Sequence, residues 1–276
     1  KNSKSVNTLR AYSSDYKDFS IFCAKNNFNS LPADPKILAL YLTHLSQTSK
    51  FSTLKRRIAS ISVIHRLKGH YIDTKHPLII ENLLGIKRKN GSNQKAKKPI
   101  LINDLKKIID VINDNKIKDI RKIRDKALIL IGFAGGFRRS ELVDIDHTDV
   151  EFVREGVKIF VKRSKTDQSG EGMTKAIPSF NTTTYCPVLH LDQWMISKTK
   201  KRGKVFAISD KSVALIIKKY TNLAGLDSTK YAGHSLRSGF ATSTAEAGAE
   251  ERNIMAMTGH KTTQMVRRYI KEGNLF

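Results

Sequence analysis

Four side chains near the C-terminus are of types that could act together on a phosphate group. They are His234, Arg237, His260 and Tyr269. Their uneven spacing does not fit one face of a single helix, so the fold must bring them together. An arginine offers a planar fork of donors to phosphoryl oxygens, a histidine can exchange a proton near neutral pH, and a tyrosine phenol can act as a nucleophile. We therefore expect these side chains to converge on one phosphate.

Two cations further upstream could complete such a site, Arg138 in the sequence GFRRSEL and Lys165 in the sequence RSKT. No acidic pair lies beside the set to bind a metal, so the cations themselves must stabilise charge that develops on the phosphate. A lysine on a flexible loop can protonate the leaving 5′ oxygen. Nearby cations could take its place, among them Lys162, Arg163 and Lys175. Because a phosphotyrosine would conserve the energy of the broken bond, we expect neither a metal, nor ATP, nor another cofactor.

The charge of the chain indicates a polyanionic partner. Its 276 residues include 50 Lys plus Arg against 25 Asp plus Glu, a formal net charge of +25. Neutralising phosphates releases counterions, so nucleic acid is the expected partner, with a lysine-rich composition and a solvated surface as the alternative.

The two cysteines are far apart and are expected to be free thiols in a reducing compartment. No apolar run could span a membrane, no signal peptide is visible, and the start at Lys1 suggests a piece of a longer product.

Apolar periodicity predicts a mainly α-helical chain in two parts. The first part, residues 1–87, is expected to be a bundle of four helices. They are expected at roughly 6–27, 35–48, 51–67 and 78–87, with Asp34-Pro35 starting the second and Ser52 or Thr53 capping the third. Residues 88–99, rich in Lys, Asn and Gly, are expected to be a basic linker. Residues 1–99 contain nineteen basic and five acidic groups, a net charge of +14.

The second part, residues 100–276, combines helices with a small sheet. Helices are expected at roughly 102–114 (capped by Asn103 or Asp104), 120–133, 187–196, 211–223, 234–247, 250–257 and 262–271. Short runs at roughly 150–153, 157–161 and 174–177 predict a three-stranded antiparallel sheet, and the hairpin loop at 163–170 carries Lys165.

Polar and basic side chains on three helices are candidates for contacts with DNA. The helix that begins near residue 52 could enter a major groove. The candidates are Thr8 and Arg10 on the first helix, Ser52, Thr53, Lys55, Arg56 and Arg57 on the third, and Lys211, Ser212, Lys218 and Lys219 in the second part. The alternative for each of them is a solvated charge that contacts no partner.

The upstream motifs resemble those of the tyrosine recombinase (phage integrase) superfamily. GFRRSEL is similar to the first arginine motif of that family, G-x-R-x-S-E-L. Arg138, and not Arg139, then matches the catalytic arginine, and Glu141 matches the acidic residue that supports it. RSKT resembles the β-hairpin motif of the family, with Lys165 as the matching lysine.

The C-terminal motifs extend the resemblance. The family motif H-x-L-R matches at His234 and Arg237, and Gly259-His260 matches the second histidine motif. Tyr269 follows nine residues later, which is the usual interval to the nucleophile in the family. The resemblance covers nearly the whole chain, because the four N-terminal helices are similar to the core-binding domain of the family.

The resemblance implies a fold, a reaction and an assembly. A SAM-like core DNA-binding domain (1–87) and a catalytic domain (100–276) would clamp double-stranded DNA at a specific site. Tyr269 would form a 3′-phosphotyrosine and release a 5′ hydroxyl, with the other roles distributed as follows: Arg138, Arg237 and His260 stabilise the transition state, Lys165 is the general acid, and His234 is a general base or a phosphate ligand. Four identical protomers would exchange strands between two sites through a Holliday junction, as in the movement of mobile elements. The expected location is the cytoplasm of a bacterium or of a phage host, at the nucleoid and away from any membrane.

Two other functions remain open at this point. One is a type IB topoisomerase or telomere resolvase, which would use the same chemistry for another outcome. The other is a non-catalytic DNA-binding relative, which would have no need of a nucleophile. Only seven residues follow Tyr269, so the further helix that docks into a neighbouring protomer in relatives is expected to be absent, very short or removed.

Overall fold

The computed structural model describes residues 6–91, 97–114, 120–164, 167, 170–264, 266, 267 and 269. The chain forms two compact units, residues 1–95 and 96–276, and the division falls inside the segment 88–99 that was predicted to be a linker. The prediction of a mainly helical chain with one small antiparallel sheet is confirmed. Among the described helices, none combines the length and the apolar character needed to cross a bilayer.

The N-terminal unit consists of four helices: α1 (Val6–Lys25), α2 (Pro35–Leu45), α3 (Phe51–Leu67) and α4 (Pro77–Asn90). The start of α2 is as predicted, because the Asp34 carboxylate accepts a hydrogen bond from the backbone N–H of Lys36. The predicted cap of α3 is wrong. Lys50 occupies the N-cap position, so Ser52 and Thr53 lie inside the first turn. Helix α4 ends three residues later than predicted, with basic residues in its last turn, where the helix dipole favours positive charge.

A buried carboxylate ties α1 to α3 in this unit. Asp15 on α1 is 2% exposed and accepts a hydrogen bond from the Ser60 hydroxyl at 2.7 Å. It also forms ion pairs with Arg56 and with Arg57, whose Nε lies 3.3 Å from the carboxylate. Buried charges are tolerated when they are paired and hydrogen-bonded, as Asp15 is. The Arg57 side chain is largely buried by this pairing, whereas 46% of the Arg56 side chain remains exposed.

The C-terminal unit contains seven further helices among its described residues: α5 (Ile102–Asp114), α6 (Ile120–Ala134), α7 (Arg139–Asp144), α8 (Pro187–Ser197), α9 (Asp210–Leu223), α10 (Ser235–Glu246) and α11 (Glu251–Thr258). Beyond them, residues 263, 264, 266, 267 and 269 are helical. Helix α6 is buried almost all round between α8 and α10, as its continuous apolar run predicts. Asn103 and Asp104 lie inside α5 and do not cap it; the Asp104 carboxylate instead accepts a hydrogen bond from the Tyr231 hydroxyl at 2.8 Å.

The sheet is antiparallel, with β2 (Gly156–Val161) between β1 (Val150–Val153) and β3 (Met173–Pro178). Alternate side chains of β2 and β3 face the core. On β3 the two buried positions are Lys175 and Ile177, and Lys175 pairs with Ile159 of β2. A lysine therefore occupies a position at which strand alternation predicts an apolar residue.

The segment that precedes α5 lies directly against α10. The backbone N–H of Ile100 donates to the Ser235 carbonyl at 3.0 Å. A Cβ atom on Gly239 would lie 1.9 Å from the Ile100 carbonyl oxygen, so the approach requires glycine. This contact fixes α10, which carries Arg237, against the beginning of the unit.

Candidate active site

Arg138 lies at the start of α7, directly after the turn that ends α6. Its Nη1 donates to Oε1 of Glu141 and to Oγ of Ser164, at 2.6 Å in each case, and its backbone N–H donates to Oε2 of Glu141 at 3.0 Å. Gly136 has a φ of +54°, which allows the sharp turn before the arginine. The neighbouring Arg139 points elsewhere, with its side chain 41% exposed and 3.9 Å from Asp210. The structure thus brings Arg138, and not Arg139, to the site.

The carboxylate that holds Arg138 is kept ionised by its surroundings. Glu141 is 3% exposed. Burial raises its pKa, but the two hydrogen bonds from Arg138 and the charge of Lys175 act more strongly, so the pKa lies below its usual value. The Ser164 hydroxyl donates to the same carboxylate at 2.8 Å, so the β2–β3 hairpin is tied to this ion pair.

Arg237 projects from α10 into the centre of the unit and is fully buried. Its Nη1 donates to the Gly136 carbonyl at 2.9 Å, and its Nη2 lies 3.0 Å from Nε2 of His260. Its Nε has no hydrogen-bond partner among the described residues. Burial, followed by the charge of Arg138, lowers the pKa of Arg237 to about 10. Two closely placed and poorly hydrated guanidinium groups form a site for an anion.

The protonation of His260 follows from its neighbours. The hydroxyl of Thr258 donates to the Ile254 carbonyl, so its oxygen accepts from Nδ1–H of His260 at 2.7 Å. Nε2 then accepts from Arg237. Burial, followed by the charges of Arg237 and Arg138, lowers the pKa of His260 to about 4, so the ring is neutral at neutral pH. Gly259, in the left-handed region with a φ of +64°, ends α11 and directs the chain into the site.

Tyr269 lies beside both histidines. Its hydroxyl is 3.4 Å from Nε2 of His234, and its ring centroid is 5.9 Å from that of His260. The ring is partly buried against a small apolar cluster formed by Ala241, Ile254 and Val266. His234 is the N-cap residue of α10, and burial is the main cause that lowers its pKa. A neutral imidazole at this position can accept the phenol proton.

Lys165, the predicted general acid, lies outside the described residues. Of its rivals, Lys162 forms an ion pair with Asp149 at 2.8 Å. Lys175 lies among the catalytic candidates but is fully buried, and its position was not identified from the sequence. The alternation of β3, with Met173, Lys175 and Ile177 on one face, is the signal that could have revealed it.

The candidate DNA-contact residues differ in how free their side chains are. Arg10, Ser52, Lys55, Lys211, Lys218 and Lys219 are exposed, while Thr8, Thr53 and Ser212 are partly buried. Arg56 is also exposed and Arg57 is partly buried, and both form ion pairs with Asp15. Lys219 lies over the Tyr220 ring at 4.8 Å. All of these contacts remain predictions. Among the residues that the structure describes, no three His, Cys, Asp or Glu side chains are grouped as metal ligands would be.

Comparison with known proteins places these features in a family. The sequence model of the phage integrase family matches residues 100–274. The integrase/recombinase xerD homolog of Selenomonas ruminantium is 41% identical over 289 aligned positions, which cover 99% of this chain and 84% of the relative. The tyrosine recombinase XerC of Syntrophus aciditrophicus is 23% identical, covering 96% of this chain and 87% of the relative.

Solved structures share the fold at low sequence identity. The XerH site-specific recombinase bound to a palindromic difH substrate, a post-cleavage complex, is similar with a TM-score of 0.68 and 18% identity, over 87% of this chain and 69% of that one. A lambda integrase tetramer bound to a Holliday junction is similar with a TM-score of 0.63 and 17% identity, over 100% of this chain and 74% of that one. On the family match and the extent of the 41% identity, this chain belongs to the phage integrase family of tyrosine recombinases.

Proposed function

We propose that this protein is a site-specific recombinase that cuts and rejoins duplex DNA through a covalent bond between Tyr269 and the DNA. The breaking and rejoining of DNA follows from membership of the family and from identity to a named recombinase across nearly the whole chain. One observation carries the assignment of the nucleophile. The Tyr269 hydroxyl lies 3.4 Å from the imidazole of His234, and two guanidinium groups lie in the same site.

The reaction can be assigned atom by atom. The Tyr269 oxygen attacks phosphorus, and His234 Nε2 accepts the phenol proton. Arg138 and Arg237 stabilise the charge that develops on the non-bridging oxygens. Lys165 protonates the departing 5′ oxygen, so a 3′-phosphotyrosine and a 5′ hydroxyl result. Attack by the 5′ hydroxyl of another strand reverses these steps and rejoins the DNA, with no need of ATP.

The geometry supports a specific role for His260. The Thr258 oxygen accepts Nδ1–H of His260, and Nη2 of Arg237 donates to Nε2. Neither ring nitrogen then has a proton to give to a phosphate. We therefore assign His260 the task of orienting Arg237, and its stabilisation of the transition state passes through that arginine.

The assembly part of the proposal is supported by the shared fold. The lambda integrase structure is a tetramer on a Holliday junction and covers the whole of this chain. We propose that four protomers exchange strands in the same way between two sites. The N-terminal helices, residues 1–87, would hold the core DNA, with Arg10, Ser52 and Lys55 available on exposed surface. Residues 100–276 would form the catalytic domain, and residues 88–99 the basic linker between them.

Covalent trapping tests the assignment. The protein is incubated with a duplex that is nicked near the cleavage site. The short fragment that carries the new 5′ hydroxyl then diffuses away, so the covalent protein–DNA adduct accumulates and is measured. Target DNA is first selected from a random pool. Wild type and the control Tyr71→Phe, at a residue that is 83% exposed, are expected to form the adduct. Tyr269→Phe is expected to bind the duplex without forming one. An adduct that persists in Tyr269→Phe would sink the assignment of that tyrosine. Relaxation of supercoils by monomers without junction intermediates would instead indicate a topoisomerase.

A further inference from the structure

Lys175 is a fully buried lysine at the centre of the catalytic unit. Its Nζ donates to the Gly135 carbonyl at 2.6 Å and to the Met257 carbonyl at 2.5 Å. The ammonium also lies 4.6 Å from the centroid of the Phe137 ring. A buried lysine is uncommon because its charge must be taken out of water, so its contacts require an explanation.

The two carbonyls lie where two helices end. Gly135 directly follows α6, and Met257 is in the last turn of α11. Carbonyl groups at helix C-termini lack helical partners and carry partial negative charge, so a cationic donor is favourable there. The Gly136 carbonyl, next along the chain, is held by Arg237. Cations thus hold two consecutive carbonyls of this turn.

The positions of these carbonyls relate them to the reacting groups. Gly135 precedes Arg138 by three residues, and Met257 precedes His260 by three residues. The end of α11 lies far along the chain from the turn between α6 and α7. Contacts between residues distant in sequence must therefore hold the two segments together. Lys175 contacts both from the sheet, so it fixes the distance between the backbones that carry Arg138 and His260.

Lys175 is not placed to act as the general acid. Its side chain has no exposed surface, and its Nζ is turned towards backbone carbonyls. Burial lowers its pKa to about 7, the charges of Arg237 and Arg138 act in the same direction, and Glu141 acts against them. The charged and the neutral amine each have at least two N–H groups, so either form can donate to both carbonyls. Its contacts are therefore those of a group that holds the backbone.

We infer that Lys175 is a positioning residue. By binding the carbonyls of Gly135 and Met257, it keeps Arg138 and His260 at a fixed distance from each other. The inference rests on the proposed roles of those two residues in DNA cleavage. A displacement of about 1 Å in a reacting group can lower a rate about a hundredfold. We therefore expect the loss of Lys175 to slow the chemical step and to leave DNA binding unchanged.

The test compares Lys175→Met with Lys158→Met, a lysine that is exposed on the neighbouring strand β2. Adduct formation is measured in a single turnover at saturating DNA, the Kd is measured by fluorescence anisotropy, and both are read well below each variant's unfolding midpoint. Lys175→Met should lose about a hundredfold in rate at an unchanged Kd. Lys158→Met should match wild type. Lys175→Gln, which keeps N–H donors on a shorter side chain, should recover part of the rate, and it replaces Lys175→Met if that variant does not fold.

A second measurement needs no DNA. Nitrogen-15 spectra of the histidine rings, with His260 assigned from His260→Gln, report the environment of its two nitrogens. Lys175→Met should shift the His260 signals, and Lys158→Met should not. The inference is overturned if the His260 signals and the rate stay as in wild type, or if weaker DNA binding accounts for the whole loss of rate. If wild type forms no adduct, the proposed function fails, and the His260 signals alone then decide this inference.

Discussion

The hydrogen bond between Thr258 and His260 offers a direct test of how the site fixes its proton positions. Thr258 is fully buried, and its oxygen accepts Nδ1–H of His260 at 2.7 Å. Thr258→Val keeps the shape and removes the acceptor. The ring must then leave a buried N–H unpaired, or move the proton to Nε2, where it would face the Nη2 donor of Arg237 across 3.0 Å.

The first outcome costs about 1–3 kcal/mol, the penalty for one unsatisfied buried donor. If that free energy is lost from the transition state, the rate of adduct formation falls about 5- to 150-fold. The measurement is a single-turnover cleavage assay at saturating DNA, with nitrogen-15 spectra of His260 to report its tautomer. Thr258→Ser, which keeps the hydroxyl, should stay close to wild type. Cleavage at the wild-type rate by Thr258→Val, or equal losses in Thr258→Ser and Thr258→Val, would refute the reasoning.

Two further predictions concern stability. The pKa of His260 is about 4 in the folded protein, and the usual pKa of a histidine in an unfolded chain is about 6.5. Between pH 6.5 and 4 the unfolded chain therefore binds more protons. The free energy of unfolding should fall in this range by at most about 1.4 kcal/mol per pH unit. Urea unfolding at a series of pH values should show a smaller pH dependence of the unfolding free energy in His260→Gln. His70→Gln should leave it unchanged, since His70 is exposed. Equal slopes in the two variants would contradict a lowered pKa of His260. Gly239→Ala should lower the midpoint of thermal unfolding, because the new methyl group meets the Ile100 carbonyl, whereas Gly85→Ala in α4, with open space around it, should raise stability by about 0.5–1 kcal/mol. A stabilised Gly239→Ala would show that α10 does not need this close approach.

The sequence was sufficient wherever a local pattern carries the information. The resemblance of GFRRSEL to the family motif separated Arg138 from Arg139, and in the structure Arg138 forms a local pair with the acid three positions later. The strands followed from alternation of apolar residues, which depends only on neighbours in the chain. The position of Lys175 could not be read in this way. Its environment depends on the turn after α6 and on the end of α11, whose carbonyls lie 40 and 82 residues away along the chain.

In the N-terminal unit too, contacts between residues distant in sequence could not be predicted from local patterns. Arg56 and Arg57 are candidates for DNA contacts because they lie on the polar face of a helix, and that prediction is untested; their ion pairs with Asp15 could not be foreseen. Their partner Asp15 is 41 residues distant from Arg56, so no helical pattern connects them. The helix caps fail for a smaller reason. Ser52 and Thr53 are good capping residues, but Phe51 before them already has helical geometry, and Lys50 occupies the N-cap position.

The lowered pKa values in the site have a common cause, and this has a consequence for the order of events. His234, Arg237 and His260 are each shifted by burial and by the positive charges of their neighbours. A phosphate placed among them reverses the second contribution, because a negative charge nearby favours the protonated form of each group. A bound phosphate would therefore make His234 a stronger base at the step in which the proposed nucleophile, Tyr269, loses its proton. Without the phosphate, burial and the charges of the neighbouring arginines lower the pKa of His234, so its imidazole is a weaker base. In the proposed mechanism, the base that serves Tyr269 is therefore strengthened when the target phosphate binds.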